Sequence, residues 1–215
     1  MTAGEVPAGL PEALPEGEEI LWQGGPRASA LARQAFGLRL LSLYFAGAAL
    51  FTAGMAWSEG RSLAQTAMSL ALVAAAGIAA LSLVRFFATL VARTTVYTIT
   101  TRRIVMRIGI ALPVTFNLPF SIVEGAGLKV HADGSGDIPV TIDGSGRIGF
   151  FHLWPHARPW RLSRPEPMLR CVPEGAQVAA ILARALGSGP LGRAAAARAD
   201  TGSAEPAHVS AAAAA

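Results

Sequence analysis

Two apolar runs, residues 40–57 and 63–84, constrain this chain more than anything else in it. They are 18 and 22 residues long and contain no Asp, Glu, Lys, Arg or His. At ~1.5 Å of rise per residue, a helix over such a run reaches across a hydrocarbon layer of roughly 30 Å. The link between them, Ser58-Glu59-Gly60-Arg61-Ser62, is polar and short, so the helices fold back on one another as an antiparallel hairpin. The competing account is a buried hairpin in a soluble protein. A soluble helix keeps a polar stripe on one side, whereas one apolar all round is enclosed or spans a bilayer. Here Ser42, Thr52, Gln65, Thr66, Ser69 and Ser82 are the clearly polar side chains, and all are mild. A cleaved secretory signal does not fit, because the first run starts near residue 40 behind an acidic lead and the second follows at once.

The basic residues orient the hairpin. Arg27, Arg33 and Arg39 precede the first span, Arg85 and Arg93 follow the second, and Arg61 alone lies between. The positive-inside bias therefore places both termini in the cytoplasm and the small loop outside, as a multi-pass protein.

Charge is unevenly spread along the chain. The formal net charge is +4, yet residues 1–19 carry five Glu and no base. Residues 20–199 hold all 18 Lys and Arg against seven acids, a net +11. A basic body beside a bilayer is drawn to anionic lipid by roughly 1 kcal/mol per well-placed side chain. No helix-turn-helix, zinc finger or ribonucleoprotein motif accompanies the charge, so no nucleic-acid partner is expected. Cys171 is the single cysteine, which excludes an intrachain disulfide and a multi-cysteine metal site. A free thiol suits a reducing compartment.

The rest of the chain divides around the hairpin. Residues 1–19, rich in Pro, Glu, Gly and Ala, are expected to form a disordered acidic N-terminus. Residues 20–39 read as an interfacial or entry segment: its start, Ile20-Leu21-Trp22-Gln23-Gly24, is a short strand or an interfacial stretch with Trp22 as its anchor, and Ser29–Arg39 is helix-compatible and leads into the first span. Beyond residue 91 the pattern changes to period two. Thr95-Val96-Tyr97-Thr98-Ile99-Thr100 alternates, Thr101-Arg102-Arg103 turns, and Ile104-Val105-Met106-Arg107-Ile108 returns. Further short strands follow at Thr115-Phe116-Asn117-Leu118 and at residues 127–131, 137–142 and 147–153, punctuated by Asp-Gly turns. Val172-Pro173-Glu174 opens a helix that Gly187 closes, with Val178, Ile181, Leu182 and Leu186 on one face. Residues 188–215 form an Ala-rich tail expected to be disordered. The predicted architecture is an α+β membrane protein. A two-helix transmembrane hairpin (residues 40–84) precedes an antiparallel β barrel or sandwich with a C-terminal helix (residues 91–187).

Catalytic and metal motifs are weak. His152 and His156 stand four apart like a zinc pair, but Pro155 between them opposes a regular helix and no Glu adjoins His152. Asp133-Gly134-Ser135-Gly136-Asp137 lacks the later ligands of a calcium loop and reads as a hairpin turn. There is no P-loop, dinucleotide fingerprint or nucleophile elbow, so no catalytic, cofactor-binding or metal-binding residues are assigned and an enzyme is not expected. The spans lack His, the commonest ligand to chlorophyll-type magnesium or haem iron, and lack the buried charges of a transporter core. The stretch Trp154-Pro155-His156-Ala157-Arg158-Pro159-Trp160-Arg161 combines indoles and guanidiniums on a proline-stiffened backbone, the residue types that anchor protein interfaces. Trp154, His156, Arg158, Trp160 and Arg161 are therefore the partner-binding candidates. Trp22, Arg85, Arg93, Arg102, Arg103 and Arg107 are the candidates for membrane-surface contact.

Residues 96–109 with Leu118-Pro119-Phe120-Ser121-Ile122, and the lead Leu14-Pro15-Glu16-Gly17-Glu18-Glu19-Ile20-Leu21-Trp22-Gln23-Gly24, resemble the bacterial pleckstrin-homology-like domain. Within that group, residues 153–161 and Pro165-Glu166-Pro167-Met168-Leu169-Arg170 resemble the PuhB-type photosynthetic complex assembly proteins of purple phototrophic bacteria. This resemblance implies a non-catalytic, chaperone-like role in building the reaction centre with its light-harvesting antenna. It also implies a domain on the cytoplasmic side of the inner (intracytoplasmic) membrane that touches unassembled subunits and membrane lipid. Self-association is compatible with it. The alternative is a lipid- or envelope-associated membrane protein that uses the same domain as a sensor.

Overall fold

The computed structural model of the chain describes residues 9–10, 12–110, 112–143, 153–158 and 165–188. Strand β1 (Ile20–Gly24) and a short helix α1 (Ala28–Gln34) precede the long helices α2 (Leu38–Ser58) and α3 (Leu63–Thr94). Both long helices are apolar enough, and long enough, to cross a membrane, and only 6% of each helix's most apolar window is buried within the protein. Ser62 starts α3 through a reciprocal cap: its hydroxyl accepts the Gln65 N–H, and the Gln65 side chain accepts the Ser62 N–H. Two of the N–H groups left open at the helix start are thereby satisfied. The helices touch closely at Gly77, where a Cβ would meet the Phe45 ring at 3.1 Å.

Helix α3 does not stop where its apolar run ends at Val84. Nothing in residues 85–94 breaks a helix, and their inner face is buried at Ala88 and Val91. The chain then becomes extended at Thr95 and enters β2 (Val96–Thr100), followed by β3 (Arg103–Ile108) and β4 (Val114–Pro119). A single 3-10 turn (Phe120–Ile122) leads to β5 (Val123–Ala126), β6 (Lys129–Val130), β7 (Gly136–Ile142), β8 (Met168–Val172) and helix α4 (Gly175–Ser188).

The strands form two antiparallel sheets. One has the order β1-β2-β3-β4; in the other, β7 pairs with β5, β6 and β8. Tyr97, Ile99, Ile104, Met106 and Leu118 of the first sheet pack against Ile138, Val140, Leu169 and Val172 of the second. Val178, Leu182 and Ala185 of α4 close this core. The helix starts at Gly175, two residues later than Pro173. Its first turn presses on β7 so tightly that a Cβ on Gly175 would lie 2.3 Å from the Gly136 Cα.

Of the two readings of residues 20–24 the strand holds, and they are not a separate interfacial segment: β1 is an edge strand paired to β2, with Trp22 opposite Ile99 and Gln23 opposite Thr98. The hairpin is thus an insertion between two neighbouring strands of one sheet. Nor is all of residues 1–19 unstructured. Leu10 is buried, and so is the Glu18 carboxylate, which Arg103 and the Thr100 hydroxyl hold. The strand expected at residues 147–153 lies outside the described residues up to Leu153, which is buried. The tail beyond residue 188 also lies outside them.

Candidate functional site

The foot of the hairpin is where the helices, the sheets and the tryptophan-rich stretch meet. Helix α1 lies in the angle between the lower end of α3 and β8, and its Ala30 and Leu31 pack with Val91 and Cys171. Polar contacts fix it there. The Arg27 N–H donates to the Cys171 carbonyl (2.9 Å), and the Arg170 guanidinium donates to the carbonyls of Gln34 and Pro155. Arg33 pairs with Asp133 in the β6–β7 turn. The Ser135 hydroxyl and Arg33 together hold the Asp133 carboxyl down to about 2. Asp133 therefore builds a turn and anchors α1, as its hairpin-turn spacing suggests.

An aromatic run continues the apolar surface of the hairpin onto the domain. Phe87 of α3 meets Phe36 edge-on at 5.9 Å, and Phe36 meets Trp154 edge-on at 5.8 Å. Trp154 keeps 51% of its surface open. An indole in edge contact with one aromatic ring and half open to its surroundings suits either an interface anchor or a headgroup-level belt.

His156, two residues on, is not on that surface. It is 1% exposed, and both ring nitrogens are engaged inside the core. The Tyr97 hydroxyl accepts the Arg170 N–H (3.2 Å) and lies 2.6 Å from His156 Nδ1. The enclosed hydroxyl proton needs an acceptor, and Nδ1 is the one beside it; with Nδ1 accepting, the neutral ring carries its proton on Nε2, which is assigned as the donor to Thr95 Oγ1 at 3.2 Å. Burial, aided by the Arg170 charge, drives the imidazole down to about 3, while burial pushes the Tyr97 hydroxyl upward. His156 is a neutral core strut rather than a partner contact.

The other sequence candidates separate into distinct environments. Arg158 reaches outward but is tied to the buried Glu166 at 2.7 Å. Arg103 is also spoken for: its guanidinium grips both oxygens of Glu18 at 2.8 and 3.0 Å. Its place is structural, so it is withdrawn as a lipid contact. Trp22 is half-buried against the main core, its ring lying over Gly24, and does not act as a free anchor. Arg85, Arg93, Arg102 and Arg107 are exposed. Trp160 and Arg161 lie outside the described residues.

Beside this foot runs a groove of about 670 Å³, which the sequence did not signal. Lys129, His131, Arg158 and Arg170 line it, along with Asp137 and the small residues Gly125, Ala126 and Gly127. These side chains come from four separate stretches of chain, and no local spacing connects them. The cationic lining favours an anionic group or a polar extended segment. At its inner end His131 Nε2 stands 3.0 Å from Asp137 Oδ2. The neighbouring Cys171 thiol is pushed up to about 12, chiefly by burial and then by the Asp137 charge.

The fold, two antiparallel sheets closed by a C-terminal helix, can be set against known families. The profile described as Bacterial PH domain matches residues 36–186. The chain belongs to the bacterial PH domain family. In this bacterial PH domain protein the match takes in the hairpin and strands β2–β8 of both sheets, whereas β1 precedes it. A protein of Rhodobacter capsulatus, described as an uncharacterized 23.7 kDa protein in the puhA 5′ region, is 42% identical over 180 residues. The alignment covers 82% of this chain and 83% of that relative. No solved structure matches the chain.

Proposed function

We propose that this bacterial PH domain protein is a membrane-anchored, non-catalytic assembly factor for the photosynthetic reaction centre with its light-harvesting antenna. The observation that carries the anchoring is the hairpin itself. Apart from the seam between its two helices, most of its side chains are exposed, with Trp57 89% and Leu63 91% exposed at the tip. That much apolar surface is stable in lipid and costly in water. The arginines flanking the spans orient both termini towards the cytoplasm of the inner membrane. The assembly role is supported by the resemblance of residues 153–161 and 165–170 to PuhB-type proteins. The puhA neighbourhood in the relative's description agrees with a photosynthetic setting.

In this reading the hairpin confines the domain to the membrane surface. The Phe87–Phe36–Trp154 run then meets the transmembrane part of a nascent subunit, while the groove with Arg158 and Lys129 takes a polar segment next to it. Shielding such surfaces until antenna and reaction centre associate needs no chemical step. The discriminating experiment is deletion of the gene, followed by near-infrared absorbance of the membranes and native purification of the tagged protein. A deficit of assembled complex, with reaction-centre polypeptides co-purifying, supports assembly. Normal absorbance with lipid alone co-purifying sinks it and favours a lipid-sensing role for the exposed Arg102 and Arg107.

A further inference from the structure

We infer that His131, Asp137 and Cys171 form a binding site for a divalent transition-metal ion of the zinc class. One ligand atom from each residue lies within 4.8 Å of the others. All three side chains are largely withdrawn from solvent: those of His131 and Asp137 are 6% and 11% exposed, and Cys171 is buried.

The decisive detail is how His131 meets Asp137. The Nε2 and Oδ2 atoms are 3.0 Å apart, yet Nε2 is buried without a hydrogen-bond partner because the geometry is not that of a hydrogen bond. Metal ligands stand in this relationship. Bonds of about 2.0–2.3 Å in a tetrahedron bring donor atoms within roughly 3–4 Å of one another, with lone pairs aimed at a shared point rather than at each other. Small side-chain rotations bring the present separations into that range.

The surroundings complete the site. The Cys171 N–H donates to Asp137 Oδ1 at 2.8 Å, which orients the carboxylate and leaves Oδ2 for the ion. The Cys171 backbone adopts φ +50°, a strained left-handed conformation for a side chain other than glycine. His131 and Asp137 also line the groove, so a water or an anion drawn by its cationic lining can fill the fourth position. A sulfur, nitrogen and oxygen donor set suits zinc better than magnesium or calcium. On binding, the thiol hydrogen leaves to buffer as a proton and a thiolate–metal bond forms, with no change of oxidation state. Affinity therefore rises with pH. The ion would tie β6, β7 and β8 together directly beneath α1.

Cobalt(II) is the probe, added to tag-free full-length protein in detergent micelles. One equivalent is expected to produce a near-ultraviolet thiolate-to-cobalt band and visible ligand-field bands, both removed by one equivalent of zinc. Cys171→Ser abolishes the near-ultraviolet band, and His131→Gln weakens cobalt binding at least tenfold. The wild-type thermal midpoint rises with zinc and that of His131→Gln does not. Absence of the near-ultraviolet band in folded wild-type protein at saturating cobalt overturns the inference, as does a band that survives Cys171→Ser. The wild-type titration decides the matter even where a variant fails to fold.

Discussion

Glu18 and Arg103, 85 residues apart in sequence, meet in a two-pronged ion pair in which the carboxylate is almost fully enclosed. The Thr100 hydroxyl donates to the same carboxylate at 2.7 Å. The pair pins the segment before β1 to the β2–β3 turn. Removing Arg103 leaves the enclosed Glu18 charge without its counter-ion, which costs about 3–5 kcal/mol. Arg103→Ala is therefore expected to lower the unfolding free energy by about that amount. Glu18→Gln, which retains a hydrogen-bonding group, should cost less. Denaturant titration in detergent measures both, and limited proteolysis should cut near residue 18 sooner in each variant.

The enclosed His156 gives stability a definite pH dependence. Its folded value is depressed to about 3 from an ordinary 6.5. Protonation therefore favours the unfolded chain once pH falls below the unfolded value, and the loss accumulates until the folded value is reached. From pH 7 to pH 5 the expected loss is about 2 kcal/mol. His156→Asn should flatten thermal midpoints over that interval. An unchanged slope in the variant contradicts the assigned neutral ring.

Tyr97→Phe tests the same strut from the other side. It strips a partner from both His156 Nδ1 and the Arg170 N–H, and a stranded buried polar group costs about 1–3 kcal/mol. The expected result is a lower thermal midpoint with an unaltered far-ultraviolet circular dichroism spectrum.

Helix pairing in the hairpin depends on Gly77. A Cβ there would meet the Phe45 side chain at 3.1–3.3 Å. Gly77→Leu should separate α2 from α3 and lower the melting temperature in detergent. Adding Phe45→Ala opens the space and should restore part of the loss. Double-mutant additivity would show that the two residues do not share this contact.

Gly136 and Gly175 are expected to tolerate even less. Backbone meets backbone at that crossing, and neither side can rotate away. Either Gly→Ala substitution should cost more than 2 kcal/mol by displacing α4 from the core, since overpacked sites without flexible neighbours cost about 1–3 kcal/mol or more.

What the sequence made legible was local. The apolar hairpin shows in composition, the strands at Val96–Thr100 and Arg103–Ile108 in their alternation, and the last helix in the spacing of Val178, Leu182 and Leu186. What escaped depended on pairing across distance. Residues 20–24 could be read as a strand or as an interfacial stretch, because the strand they pair with lies some seventy residues further on, beyond three helices. His156 sits among Trp, Pro and Arg, so its neighbours argued for a surface, whereas backbone hydrogen bonds to Glu166 and Met168 draw residues 155–157 together into the interior. The His131, Asp137 and Cys171 cluster joins three strand regions and leaves no spacing to read.

Inserting the two rods between adjacent strands gives them a double mounting. One leg is braced through α1, and the other runs without interruption through Thr94 and Thr95 into β2. With about 48 Å of continuous helix in α3, a sideways push near Trp57 acts through a long lever on a stiff pivot. The sheets must then tilt with the rods, so any contact made at the helix tips reorients the surface that the domain presents.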